Sequence, residues 1–167
     1  GMPIYTLTLE ERATCPRYCE HWQDCFGNKM HWSTRYSAGK NLEKILPGHV
    51  RALSAKHPGG YVVRLHVLGD FYNLPYANMW ADLIGCVPEL HVFGYTRYDP
   101  TTAQGQIVHA LNMRHPNRWR VRFSEKGGYY GTKTTKDVTS RGKTADGIVC
   151  PAQTGDTSCC GTCALCW

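Results

Sequence analysis

No run of apolar residues in this 167-residue chain approaches the roughly 20 that a membrane-spanning helix needs. No apolar core of an export signal stands near the N-terminus either. A membrane partner is therefore excluded, and the protein is expected in the cytoplasm. Internal repeats and low-complexity tracts are also lacking. Charged residues are scarce at 19%, against 42% hydrophobic, so there is apolar material for a core and wholesale disorder is ruled out. The length fits one α/β domain over residues 1–167.

What the chain does have is cysteine, nine in all. An odd number of cysteines in a protein without an export signal reads as metal binding rather than as a disulfide framework. The formal net charge is +6. That alone suggests an acidic partner such as nucleic acid or phosphate. Metal-bound cysteines are thiolates, however, and a four-cysteine cubane cluster carries about −2 overall, so bound clusters would cancel much of the excess.

The hydrophobic pattern alternates between strand and helix. Ile4–Leu9, Tyr61–Leu68, Leu90–Tyr95 and Trp119–Phe123 have strand composition. Leu42, Ile45, Leu46, Val50 and Leu53 have helical spacing, interrupted at Pro47–Gly48, where a kink or two short helices are expected. Asn73 is placed to cap a helix with Pro75 in its first turn and Trp80, Leu83 and Ile84 on its buried side. Asp99–Pro100 opens a helix carrying Ile107, Val108 and Leu111. Residues 126–146 read as a long Gly-, Thr- and Lys-rich loop, and Ile148–Val149 as a strand stub. Alternating βα units predict a mostly parallel sheet, as an open sheet or a partial (βα) barrel.

Parallel strands are usually apolar on both faces. Here Arg64, His66 and Asp70 fall on one side of the second strand. Arg118, Arg120, Arg122 and Ser124 oppose Trp119, Val121 and Phe123 in the fourth. This polar face is either wetted by solvent or lines a cleft. Gly69–Asp70, Thr96–Arg97 and Ser124 directly follow strands. The carboxyl ends of parallel strands share one rim, where α/β active sites are built. The candidate ligand-binding residues are thus Gly69, Thr96, Arg97 and Ser124 on the rim, with Arg64, His66 and Arg122 on the face. Asp70 is the candidate catalytic residue, with little expected role in folding.

Cys15, Cys19 and Cys25 lie within eleven residues after the first strand, hence on the same rim. Three thiols can wrap one metal centre and leave a position open for a fourth ligand, water or substrate. For zinc, His21 and His31 are nearby candidates, against a surface role for each. The second set is Cys150, Cys160, Cys163 and Cys166. Its C-x2-C-x2-C run with a remote Cys-Pro is the grip of a ferredoxin-type cubane cluster, although a four-cysteine zinc site has the same donors. Cys159 adjoins Cys160 and is a bystander or its substitute. Cys86 is expected to be a buried structural thiol.

The segments TLTLEERATCPRYCEHWQDCFGNKMHW, VVRLHVLGDFYN, HVFGYTR and CPAQTG…CCGTCALCW resemble the phage and plasmid "gene product 88" family of uncharacterised proteins. A looser likeness is to radical S-adenosylmethionine enzymes. In those a three-cysteine loop after the first strand of a (βα) barrel holds a [4Fe-4S] cluster, and a glycine-rich motif after the second contacts the cofactor. This chain departs from them in its cysteine spacing of x3 and x5, in having GDF at the second motif, and in its length. The likeness implies one or two [4Fe-4S] clusters, the C-terminal one auxiliary, with S-adenosylmethionine as a candidate cofactor.

The leading expectation is an iron–sulfur enzyme of radical or redox type acting on a small-molecule or nucleic-acid-derived ligand, with an electron donor if it is redox-active. The alternatives are a zinc-stabilised nucleic-acid binder without catalytic activity, using the basic loop Lys126–Lys143, and an enzyme using zinc to activate water.

Overall fold

The computed structural model describes residues 1–23, 25–124, 156–158 and 163, apart from the side chains of Glu20 and Phe26. Four strands, β1 (Ile4–Thr6), β2 (Tyr61–Leu65), β3 (Leu90–Thr96) and β4 (Trp119–Phe123), form one open sheet in the order β1-β2-β3-β4. Every pairing is parallel. Between the strands run α1 (Glu11–Thr14), α2 (Lys40–Lys56), α3 (Leu74–Cys86) and α4 (Ala103–Arg114), with single 3-10 turns at Glu20–Trp22 and Phe26–Lys29. This is the expected α/β alternation. Among the described residues, no helix is long and apolar enough to cross a membrane.

The register sorts the strand residues into two faces. Leu7, Tyr61, Val63, Leu65, Leu90, Val92, Trp119, Val121 and Phe123 pack with Leu42 and Val50 of α2, with Tyr76, Ala77, Trp80, Leu83 and Ile84 of α3, and with Val108 and Leu111 of α4. Helices on one face are what sequential parallel strands joined by crossovers of one hand produce. Full burial of each large apolar side chain contributes about 1.5–3 kcal/mol. The opposite face carries Thr6, Arg64, Phe93 and Arg120 in one row and Tyr95 and Arg122 in the next. Val62 and Phe93 on that face are nonetheless buried, which is not the burial of a simply solvent-wetted face.

Several local expectations need correction. Pro47 does not divide the second helical segment, because α2 continues through it for 17 residues. Burial of Leu42 before the proline and Val50 after it outweighs a helix-interior cost of about 3 kcal/mol. β2 ends at Leu65, three residues early, because the chain turns toward Gly69. His66 therefore leaves the face of Arg64. Its Nε2 lies 2.9 Å from Tyr76 Oη, and its ring meets Phe71 edge-on at 4.8 Å. Arg118 also leaves the polar face. Its guanidinium donates to the carbonyls of Ile84 and Val87 at the C-terminus of α3. Cys86, the last residue of α3, is exposed rather than buried, since Leu83, Ile84 and Val87 take the inward positions.

The cap on α3 follows the sequence, whereas α4 begins at Ala103, after the expected opening at Asp99–Pro100, with Thr102 as its cap. Asn73 Oδ1 accepts from Tyr76 N–H at 2.7 Å, with Pro75 in the first turn. Thr102 Oγ1 accepts from Gly105 N–H at 3.1 Å. Glu43 of α2 accepts from both Tyr72 Oη and Asn73 Nδ2 at 3.0 Å, fixing the start of α3 against α2.

Candidate functional site

Three loops meet at the carboxyl rim of the sheet, each leaving a different strand. The loop after β1 holds Cys15, Cys19 and Cys25. Cys15 is the C-cap of α1, and Cys19 and Cys25 are the N-caps of the two 3-10 turns. Neither Cys19 nor Cys25 makes a side-chain cap hydrogen bond. All three thiols are half-buried and free. Burial above all, then the charges of Asp70, Cys19, Cys25 and Glu11, pushes the Cys15 thiol up to about 12. Cys19 and Cys25 thus each lie within electrostatic reach of Cys15. Among the described residues, however, no three His, Cys, Asp or Glu side chains stand together as a group that could hold a metal ion. His31 is exposed and packs edge-on against Trp32.

The sequence did not reveal what pins this loop. Arg35 Nε donates to Glu11 Oε2 at 2.8 Å, and its Nη2 donates to Glu11 Oε1 at 3.2 Å. The same guanidinium donates to the carbonyls of Gly27 and Met30 and to that of Ser33. Glu11 is held below the usual carboxylate range. Burial works against this, and the Arg35 bonds overcome it. A planar fork with five donors suits such multi-carbonyl gripping, which a lysine cannot reproduce. Arg35→Lys is therefore expected to keep the fold while loosening residues 25–33. Native-state amide exchange across residues 25–33 in Arg35→Lys and in the parent checks it, and equal protection in the two would show that the grip does not hold the loop.

The second loop contains the Gly69–Asp70 turn. Gly69 has φ +89°, and a Cβ there would lie 2.6 Å from both Leu9 Cβ and Thr14 Oγ1. Leu9 N–H donates to Leu68 O, Asp70 N–H donates to Thr14 Oγ1, and Thr14 Oγ1–H donates to Glu10 O. The turn is therefore docked onto the base of the cysteine loop, one residue before Cys15. The Cα of Gly69 is thus packed against Leu9 and Thr14.

Asp70 is 2% exposed. Its Oδ1 accepts from Phe71 N–H at 2.8 Å and from Thr96 Oγ1–H at 2.7 Å, and its Oδ2 accepts from Arg97 N–H at 2.7 Å. The carboxylate thus joins the end of β2 to the end of β3. The expectation that it matters little for folding is corrected by these three bonds. Burial raises its pKa to about 6, while the donors from Arg97, Thr96 and Phe71 work the other way.

The third loop begins at Thr96, whose Oγ1 also accepts from Tyr98 N–H at 3.1 Å. Arg97 reaches across to Ser124 O at 3.1 Å, and Ser124 N–H returns a bond to Thr96 O. Tyr98 is half-buried, with its phenol pushed up to about 12 by burial and then by Asp70, Tyr18 and Cys15. Tyr18 of the cysteine loop accepts from Asp99 N–H at 3.0 Å. Cys15, Tyr18, Asp70 and Tyr98 therefore converge, and the cysteine loop is tied to both neighbouring loops. Arg64 and Arg122 lie on the polar face, one row apart. Cys163 is described alone as a half-buried free thiol. Cys150, Cys159, Cys160, Cys166 and the loop Lys126–Lys143 lie outside the described residues.

Glu11, Thr14, Tyr18, Arg35 and Tyr98 were not legible as site residues. Their partners are up to 81 residues distant, as for Tyr18 and Asp99, so no local spacing signals them. No curated protein and no solved structure is significantly similar to the chain. The family described as "Gene product 88" matches residues 2–158, nearly the whole length, so the chain, with its cysteine loop docked on the rim of a parallel sheet, belongs to the gene product 88 family.

Proposed function

We propose that this protein is an iron–sulfur protein, with a cluster held by Cys15, Cys19 and Cys25, and that it acts as an enzyme of radical S-adenosylmethionine-like or redox type. The observation that carries the reading is the placement of three free thiols on one rim loop, Cys19 and Cys25 both within electrostatic reach of Cys15, with that loop fastened by Arg35, Thr14 and Tyr18. The donor set suits a soft metal centre. Neither Cys19 nor Cys25 is engaged in capping its turn, which leaves both thiols available.

Cys15, Cys19 and Cys25 would bind the cluster, and loading would draw their side chains inward. With three protein ligands, such a cluster supplies one-electron chemistry and an iron open to a further ligand. The chain's own groups define the rest. Asp70 orients the β3 rim through Thr96 and the Arg97 main chain. Tyr98 keeps a protonated phenol on the neighbouring rim loop, able to donate a hydrogen bond to a bound ligand. Residues on the sheet's polar face, Arg64 and Arg122, would meet a ligand's anionic groups, and His66 would contribute only through the shape it maintains with Tyr76 and Phe71.

Protein purified without oxygen should be brown and contain iron and sulfide. Colourless protein with stoichiometric zinc would overturn the iron–sulfur reading. Adding S-adenosylmethionine should perturb the cluster spectrum if the chemistry is of the radical type, and an unchanged spectrum leaves the redox type. The C-terminal Cys150, Cys160, Cys163 and Cys166 are the proposed second site. Four ligands close a site, whereas three leave an iron accessible. Air should therefore release iron from the Cys15 site first, read as the fraction lost in the parent but already missing from Cys19→Ser. Loss at equal rates from both sites would show that a fourth residue closes the first.

A further inference from the structure

The outer side of β4 has no neighbouring strand among the described residues. In a parallel ladder, a residue directs its N–H and C=O to the same side, and its neighbours direct theirs to the other. The Arg118 carbonyl accepts from Val92 N–H at 2.6 Å, and Ser124 N–H donates to Thr96 O at 2.9 Å. The even-numbered residues of β4 therefore face β3, and Val121, at the centre of the strand, faces outward.

That outward pair of main-chain groups is already taken. Val121 N–H donates to Asn112 Oδ1 at 3.1 Å, and Val121 C=O accepts from Asn112 Nδ2 at 2.6 Å. Asn112 sits on α4 and is 0% exposed. Its carboxamide offers the same donor and acceptor as a main-chain peptide, so it makes both bonds that an additional strand would make at this point.

We infer that Asn112 closes the outer edge of β4 and thereby terminates the sheet. The consequence concerns assembly. Sequential parallel βα units complete a barrel at eight strands, and among the described residues this sheet has four, in order, with helices on one face. An unprotected edge invites strand pairing, and β4 of one copy against β1 of another is the pairing this topology would favour. Asn112 removes that option at the middle of the strand. It equally bars an extended peptide from a partner, since either would have to strip the carboxamide from a buried position. The inference is independent of any metal in the rim.

Native-state amide hydrogen exchange followed by NMR tests it. In the parent, Val121 N–H should be protected to the same order as Arg120 and Arg122, which face β3. In Asn112→Ala, protection at Val121 should fall by about tenfold relative to Arg122, the worth of one lost hydrogen bond. Two results would overturn the inference. One is a Val121 amide that exchanges in the parent as fast as exposed loop amides. The other is a Val121 amide that stays protected in Asn112→Ala, which would mean that another strand covers the edge. Should Asn112→Ala fail to fold, the Asn112 side-chain amide protons in the parent decide. Slow exchange there supports the plug, and fast exchange refutes it.

Discussion

Gly94→Ala is expected to be severely destabilised. Gly94 lies in the middle of β3, paired with Leu65 on one side and Val121 on the other. An alanine Cβ at this position would overlap the carbonyl oxygen of Leu65 and lie 2.5 Å from its carbonyl carbon. Leu65 is the last residue of β2, and its carbonyl leans over Gly94 as the chain begins its turn toward Gly69. The obstacle is the main chain of Leu65, so no side-chain rotation relieves it. Relief would require β2 to part from β3 where both carry the rim loops. A backbone collision in a sheet centre belongs with the rare substitutions that cost about 4 kcal/mol or more, which corresponds to about 10 °C or more in Tm for a domain of this size. Thermal melting followed by circular dichroism checks it. A variant melting within a degree or two of the parent would show that the sheet is wider at this point.

Asp70→Asn should lower stability and remove a pH dependence that the parent shows. The three groups that meet the carboxylate, Phe71 N–H, Thr96 Oγ1–H and Arg97 N–H, are all donors in this arrangement. An amide nitrogen in place of either oxygen sets donor against donor in a buried place, which costs about 1–3 kcal/mol. The pH effect follows from burial, which raises the native pKa to about 6 from an ordinary value of 3.8. Between these values the native state retains a proton that the unfolded chain has released. Asp70's contribution to stability is therefore fully present below about pH 4, declines as pH rises to about 6, and is flat above that. Asp70→Asn should lack this decline. Urea unfolding of both proteins across that pH range makes the comparison. If the parent's stability rose over the same interval, the three donors would outweigh burial and the native pKa would lie below 3.8.

Much of the fold was legible because it is written in short-range pattern. The βα alternation, the Asn73 cap with Pro75 after it, and the split of β4 into Trp119, Val121 and Phe123 against Arg120 and Arg122 depend on neighbours a few residues apart. Pro47 was misjudged because local propensity was weighed without the burial of Leu42 and Val50. His66 was misplaced because strand alternation was extended past the point where Leu65 ends β2. In the site, the rim position of Cys15, Asp70, Thr96 and Arg97 followed from strand ends alone, whereas the work that Asp70 does there did not.

Chemistry and order along the chain are properties of the sequence by itself. It determined that three thiols follow the first strand, that glycine and aspartate follow the second, and that parallel strands would bring those segments to one rim. Only the tertiary structure decided how each polar group is used. The Asp70 oxygens are turned to Phe71, Thr96 and Arg97, Arg35 grips Glu11 and three carbonyls, and Asn112 substitutes for a strand. The physical reason is that a buried polar group must find a partner wherever the packed chain offers one. The partners of Arg35, Asp70 and Tyr18 lie 24, 26–27 and 81 residues away respectively, distances that no periodicity spans. Even Asn112, nine residues from Val121, meets it only because α4 doubles back along β4.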